Sequence, residues 1–260
     1  MQERILEGWN AGLNNNQISK KYHIAAHTVG RYLKKLKLKP RNYNKEAIFC
    51  EKSWNALIGT LLGDASLTKT STDKYPVLRW SHGEAQKDYC LYKASLVNTK
   101  HSIYIGTNKG GFKPGSTSIT YQSRHLKCLQ DIYEVTYVDG KKVIPKDFMF
   151  KYFNNLSLAL LFMDDGCVDG KSIKLNIQGF SKNDQLWLIE FFKSKFNLTF
   201  TLNHSRTYTL LRLSQKSVDD FIFLVQEFII PSMQYKLPSC GRLKIPLNGE
   251  TPEEDNPVLN

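Results

Sequence analysis

Two carboxylates and two lysines stand at matched places along this 260-residue chain. Leu57–Ala65 reads LIGTLLGDA and Leu158–Gly166 reads LALLFMDDG, so each apolar, helix-like stretch ends in an acid, Asp64 in the first and Asp165 in the second. The two acids lie 101 residues apart. Lys142, in KKVIP, follows Asp64 by 78 residues, and Lys236, in YKLP, follows Asp165 by 71. A helix C-terminus is the negative end of the macrodipole, so an acid there is disfavoured. Two such acids side by side repel unless they are protonated or bridged by a cation. Either stretch alone reads equally well as a buried helix followed by an Asp-Gly turn. One acid and one lysine per copy, in register, points instead to a paired site for a hard divalent cation. The remaining residues agree with oxygen ligands. Cys50, Cys90, Cys128, Cys167 and Cys240 are scattered with no CxxC pair, and the six histidines form no HExxH, so neither a disulfide framework nor a zinc site is expected.

The elements that carry these residues also recur. After the first acid come strand-like VLRWSHG, helical EAQKDYCLYKASLV, strand-like HSIYIG and SITYQS, and helical RHLKCLQDIYEVTY. After the second come SIKLNIQG, KNDQLWLIEFFKSKF, LTFTL with YTLLRL, and SVDDFIFLVQEFI. The shared order is α-β-β-α-β-β-α over about a hundred residues, too long for a solenoid unit, and it predicts two similar halves facing each other. Gly59, Gly63 and Ala159 are small enough to let the two acid-bearing helices come close.

LLGDASL, LALLFMDDG, KKVIP and YKLP, in this order and spacing, resemble the LAGLIDADG homing endonucleases of the single-chain, two-repeat type, over roughly residues 50–247. The resemblance implies an α+β fold of two pseudo-symmetric αββαββα repeats, with the motif helices between them and two curved sheets forming a DNA-binding saddle. It implies a site-specific double-strand cut that leaves short 3′ overhangs. Asp64 and Asp165 would be the metal-binding carboxylates, helped by the backbone carbonyls of Gly63 and Asp164. The Asp164 side chain aligns with Gly63 and is not expected to be the ligand. The cation would be Mg²⁺, with Mn²⁺ able to substitute. Lys142 and Lys236 would orient water and offset charge, one per strand, and Gln178, read as lying near the end of a strand, would partner metal-bound water.

Strand side chains alternate faces, so every second one could meet bases. In the first half Arg79 and Ser81 alternate with Leu78 and Trp80, and His82 continues the strand. In the second, Lys174, Asn176 and Gln178 alternate with Ile173, Leu175 and Ile177. Lys69, Lys74, Lys109, Lys113 and Arg206 sit in basic hairpin tips suited to phosphates.

Ahead of this body, Ile5, Leu6, Trp9 and Leu13 recur at helical spacing, predicting a helix over residues 3–13. A second is expected from Gln17 to Tyr22, and a third after Thr28 with Val29, Leu33 and Leu36 on one face. NNQISKKYHIAAHTVGRYLKKLKL resembles the helix-turn-helix of many DNA-binding proteins, with His23 where glycine is usual at the turn and small Ser19 between helices. His27, Thr28, Arg31, Lys34 and Lys35 would face DNA. The expected division is a helix-turn-helix over 1–38, a linker over 39–50, repeats over 51–150 and 151–248, and an acidic tail over 249–260.

Charge fits this division. The chain carries 36 Lys+Arg and 24 Asp+Glu, a net +12, which favours a polyanionic partner. The expected partner is double-stranded DNA with a long, near-asymmetric target, bound by a monomer. Met1-Gln2-Glu3-Arg4 opens no apolar segment, and no run is long enough to span a bilayer. These point to a soluble protein of a bacterial or phage-infected cytoplasm, or of an organelle matrix, with no membrane partner. Two other readings of the same scaffold are a non-catalytic DNA-binding transcriptional regulator and an RNA splicing maturase. Such regulators tend to lose the motif acids, and both acids are present here.

Overall fold

The structure is a computed structural model, and it describes residues 1–11, 13–38, 49–107, 115–205 and 208–238. The chain divides into two compact units, Met1–Ile48 and Phe49–Asn260. In the first, α1 (Gln2–Asn10), α2 (Asn15–Tyr22) and α3 (Ala26–Lys35) close around Ile5, Ile18, Val29 and Leu33, all fully buried. Asn14 and Gln17 form a reciprocal capping box at the start of α2, each backbone N–H donating to the other's side chain at 2.9 Å. His23 ends α2 in the left-handed region, φ 53°, as the sequence required of it.

Several boundaries differ from the sequence reading, and α2 begins at Asn15, two residues before Gln17. α1 ends at Asn10, three residues early, and Leu13 packs on the core from beyond it. α3 begins at Ala26, with the non-helical Ala25 as its cap two residues after the left-handed His23, so Thr28 is inside the first turn. Leu36 caps α3 and is exposed, outside the apolar face. α1 and α2 pack closely at Gly8, where a Cβ would lie 2.8 Å from Ile18.

The second unit repeats one topology. Its first half runs α4 (Glu51–Leu62), β1 (Ser66–Thr68), β2 (Val77–Gly83), α5 (Lys87–Val97), β3 (His101–Thr107), β4 (Thr117–Ser123) and α6 (Gln130–Thr136). A small hairpin, β5 (Tyr137–Val138) with β6 (Lys141–Lys142), and a short helix, α7 (Lys146–Tyr152), join the halves; neither was expected. The second half runs α8 (Asn155–Asp165), β7 (Gly166–Asp169), β8 (Ser172–Leu175), α9 (Lys182–Phe196), β9 (Phe200–Ser205), β10 (Tyr208–Leu213) and α10 (Val218–Val225), followed by 3₁₀ turns that include Pro231–Lys236. The sheets are antiparallel with equivalent orders, β1-β2-β4-β3 and β7-β8-β10-β9. The fold is therefore α+β with two αββαββα repeats. No helix among the described residues is long and apolar enough to cross a membrane.

α4 and α8 lie side by side, pointing the same way, with most residues of both buried. A helix buried all round is what their uniformly apolar sequences demand. Their contact needs glycine. A Cβ on Gly59 would lie 2.5 Å from the Ser157 carbonyl oxygen and one on Gly63 would lie 2.5 Å from Asp164 Cβ. Ser157 Oγ donates across the same seam to Asn55 O at 2.7 Å.

Candidate active site at the ends of two paired helices

The parallel run of α4 and α8 delivers Asp64 and Asp165 to one end of the seam. Asp64 follows the Gly63 cap and is partly exposed, and Asp165 is the last residue of α8, half-buried. Burial and the Asp164 charge raise the Asp64 carboxyl above its ordinary value. Burial and the Asp64 charge push Asp165 up to about 7. Both acids thus favour a proton, or a cation in its place.

The lysines sit in equivalent positions beneath them. Lys142, on β6, donates to Gly63 O at 3.2 Å and Ala65 O at 2.9 Å. Lys236 donates to Met163 O and, at 3.0 Å, to Asp164 O. These bonds satisfy carbonyls that a helix end leaves open. They also occupy one lone pair on each carbonyl expected to assist a metal, and a second lone pair remains. Burial lowers Lys142 to about 8 and lowers Lys236, against the pull of the nearby acids.

Asp164 does something else. Its carboxylate is buried and takes four donors: Thr60 Oγ1 at 2.8 Å and the Asp64 N–H at 3.2 Å on Oδ2, and Tyr89 OH at 2.7 Å and Lys93 Nζ at 2.8 Å on Oδ1. Lys93 is 1% exposed, donates also to Thr60 Oγ1 at 3.0 Å, and lies over the rings of Tyr89 and Trp80. Burial alone would raise Asp164, but Lys93 and the Tyr89 bond outweigh it and hold the carboxyl below its ordinary range. Asp64, His82 and Asp164 bring ligand atoms within 4.8 Å of one another. Asp164 already has its positive charge from Lys93 and all four acceptor positions filled, which leaves Asp64 and the neutral His82 as the open members of that group.

His82 is a correction. The alternation of β2 leaves Arg79 and Ser81 exposed and turns His82 inward with Leu78 and Trp80. It is 5% exposed, with Nδ1 3.7 Å from Asp64 Oδ2, so it cannot read bases. Burial and the Lys93 charge lower it to about 4, leaving a neutral imidazole at neutral pH. Gln178 is a second correction. β8 ends at Leu175, and Gln178 lies exposed in the turn beyond it. Asn176 also falls past the strand, and its N–H and side-chain amide both donate to Asp165 O at 2.9 Å.

Of the other expected DNA contacts, Lys74 is exposed, Lys69 donates to Gln130 at 3.0 Å, and Lys174 pairs with Asp169. Lys109, Lys113 and Arg206, and the tail 249–260, lie outside the described residues. In the first unit His27, Arg31, Lys34 and Lys35 are exposed and Thr28 is half-buried. The register adds residues that the sequence reading missed. Gln122 and Ser102 share a face with Arg79, Thr120 and Tyr104 with Ser81, and Arg212 and Thr201 with Lys174. The period-two pattern of SITYQS and YTLLRL was the signal for Thr120, Gln122 and Arg212. Lys93 and Tyr89 were also missed, although their four-residue spacing places a lysine inside the buried stripe of α5.

Residues 54–221 match the family model of the LAGLIDADG DNA endonuclease family, which leaves the first three helices outside the match. "Probable intron-encoded endonuclease 1" of Wickerhamomyces canadensis is 29% identical over 192 residues, covering 70% of this chain and 81% of the relative. "Cytochrome b mRNA maturase bI2" of Debaryomyces hansenii is 27% identical over 194 residues, covering 70% and 71%. The structure of the homing endonuclease I-WcaI bound to its DNA recognition sequence superposes with a TM-score of 0.65 at 26% identity, covering 78% of this chain and 96% of that one.

Proposed function

The chain belongs to the LAGLIDADG DNA endonuclease family, and from that membership we propose that it is a metal-dependent, site-specific double-strand DNA endonuclease. One observation carries the reading: two acids from two repeats meet at one end of a glycine-lined seam, both with raised carboxyl pKa values, and each has a half-buried lysine beside it. A structural seam has no use for that arrangement. Asp64 and Asp165, with the carbonyls of Gly63 and Asp164, would hold Mg²⁺ or Mn²⁺. A bound divalent cation polarises phosphate oxygens and lowers the pKa of water. Lys142 Nζ and Lys236 Nζ, each fixed by two carbonyls, keep positive charge beside the phosphates, where negative charge grows during hydrolysis. At about 8, Lys142 still holds its proton at neutral pH and can give it up readily.

Arg79, Ser81 and Lys174, joined by Gln122 and Arg212 on the same faces, form the groove-reading surface of this proposal, with Lys69 and Lys74 on phosphates. His27, Thr28, Arg31, Lys34 and Lys35 extend the contact from a separate helix-turn-helix module over residues 1–38. A monomer with two unequal repeats suits a long target that is not palindromic. The test is cleavage selection on a randomised DNA library with Mg²⁺ and with EDTA. A single enriched, metal-dependent target supports the reading; no enrichment counts against it. The similarity to a cytochrome b mRNA maturase favours a second reading, RNA splicing, which a splicing assay on flanking intron RNA would separate from cleavage.

A further inference from the structure

The side chain of Asp164 has no counterpart in the first repeat, where the matching residue is Gly63. A Cβ on Gly63 would lie 2.5 Å from Asp164 Cβ, so the seam has room for a side chain from one repeat only. That side chain comes from α8 and is bonded entirely by first-repeat groups: Thr60 and the Asp64 N–H at the end of α4, and Tyr89 and Lys93 on α5. The Asp165 backbone is secured differently, through its own carbonyl, by Asn176 within the same repeat. The two halves of the site are therefore built unequally.

We propose that Asp164 is a positioning residue that clamps the backbone at Asp64 from the opposite repeat, so that one half of the site depends on the other. Its effect on cleavage rests on the nuclease reading above; the clamp itself does not. The carboxylate is buried and saturated, so it acts through Asp64 and not on substrate. Lys93 supplies the charge that lets it stay ionised there, and Thr60 and Tyr89 fix its plane. Loss of the clamp would loosen the Asp64 half and spare the Asp165 half.

Two double variants of the full chain separate positioning from structure. Asp164→Asn/Lys93→Met keeps an oxygen that can accept the Asp64 N–H. Asp164→Leu/Lys93→Met fills a similar volume and removes that acceptor. Neither leaves a lone buried charge. Amide hydrogen exchange at Asp64, read by NMR without DNA or metal, should be slow in the wild type and the Asn variant. It should be at least tenfold faster in the Leu variant, with α8 amides unchanged. Strand-resolved nicking of a supercoiled target should follow. The ratio of the two strand rates should stay within twofold of wild type in the Asn variant and move tenfold or more in the Leu variant. Equal Asp64 protection in both variants, or a matched fall of both strand rates, overturns the proposal. Fast Asp64 exchange in the wild type overturns it even if neither variant folds. If the wild type cuts no DNA, the nuclease reading fails while hydrogen exchange still decides the clamp.

Discussion

Replacing Asp165 by Asn should stabilise the metal-free protein, and by an amount that grows with pH. The folded state raises this carboxyl from 3.8 to about 7, so between those values the native protein holds a proton that the unfolded chain has lost. Stability from this group is therefore complete at low pH and falls as pH rises through the window, and above about 7 a buried charge remains. Three units correspond to about 4 kcal/mol at 1.36 kcal/mol per unit. Asp165 is only partly buried, and screening cuts that to about 2 kcal/mol. Asn cannot ionise, so the variant escapes the penalty. His82, lowered to about 4, titrates in the opposite sense over part of the same range, so the wild-type profile alone is ambiguous. The difference between variant and wild type isolates Asp165. Urea denaturation in EDTA should give a difference below about 1 kcal/mol at pH 4.5 and about 2 kcal/mol at pH 7.5, short of the pH at which Lys142 loses its proton. Mg²⁺ at pH 7.5 should then stabilise wild type more than the variant. A difference that does not change with pH, or a variant less stable than wild type at pH 7.5, would refute the reasoning.

Further outcomes follow from the packing and charge. Gly59→Ala forces a Cβ to 2.5 Å from backbone that cannot swing away, so it should cost about 1–3 kcal/mol or more by urea denaturation. Gly83→Ala, with nothing within 4 Å of its Cβ, should be neutral in the same assay. Lys93→Met alone leaves Asp164 buried without its cation and should cost about 3–5 kcal/mol, most of it recovered by adding Asp164→Asn. Arg31→Ala with Lys34→Ala should weaken DNA binding, measured by anisotropy across salt concentrations, and should reduce the log–log salt slope by roughly 0.9 for each phosphate no longer neutralised.

The duplicated topology could be read in advance because two short signals carried it, uniformly apolar helices ending in acid and strands alternating with period two. Asp64, Asp165, Lys142 and Lys236 came with those signals, and the structure brings them near enough for Asp64 and both lysines to act on the Asp165 charge. The failures lie where partners are distant in sequence or where a pattern stops. Lys93 and Asp164 are 71 residues apart, and nothing local to a lysine in EAQKDYCLYKASLV names a carboxylate on another helix. Alternation did place His82 beside Trp80, but its polarity suggested the outer face; a buried, neutral imidazole was the physical solution. β8 stops at Leu175 because its partner β7 begins at Gly166: the Asn176 N–H continues the register onto Asp165 O, the last residue of α8, and Gln178 lies beyond it in a turn. α3 starts three residues early because a left-handed His23 turns the chain sooner than a Thr28 cap would.

The central claim is that the two seam acids are one catalytic unit. It is tested most directly by measuring linearisation of a plasmid carrying the selected target, with Mg²⁺, for wild type, Asp64→Asn and Asp165→Asn, alongside DNA affinity. Wild type should yield linear product, and each variant should lose it while binding DNA within a few-fold of wild type. Normal linearisation by both variants would contradict the account.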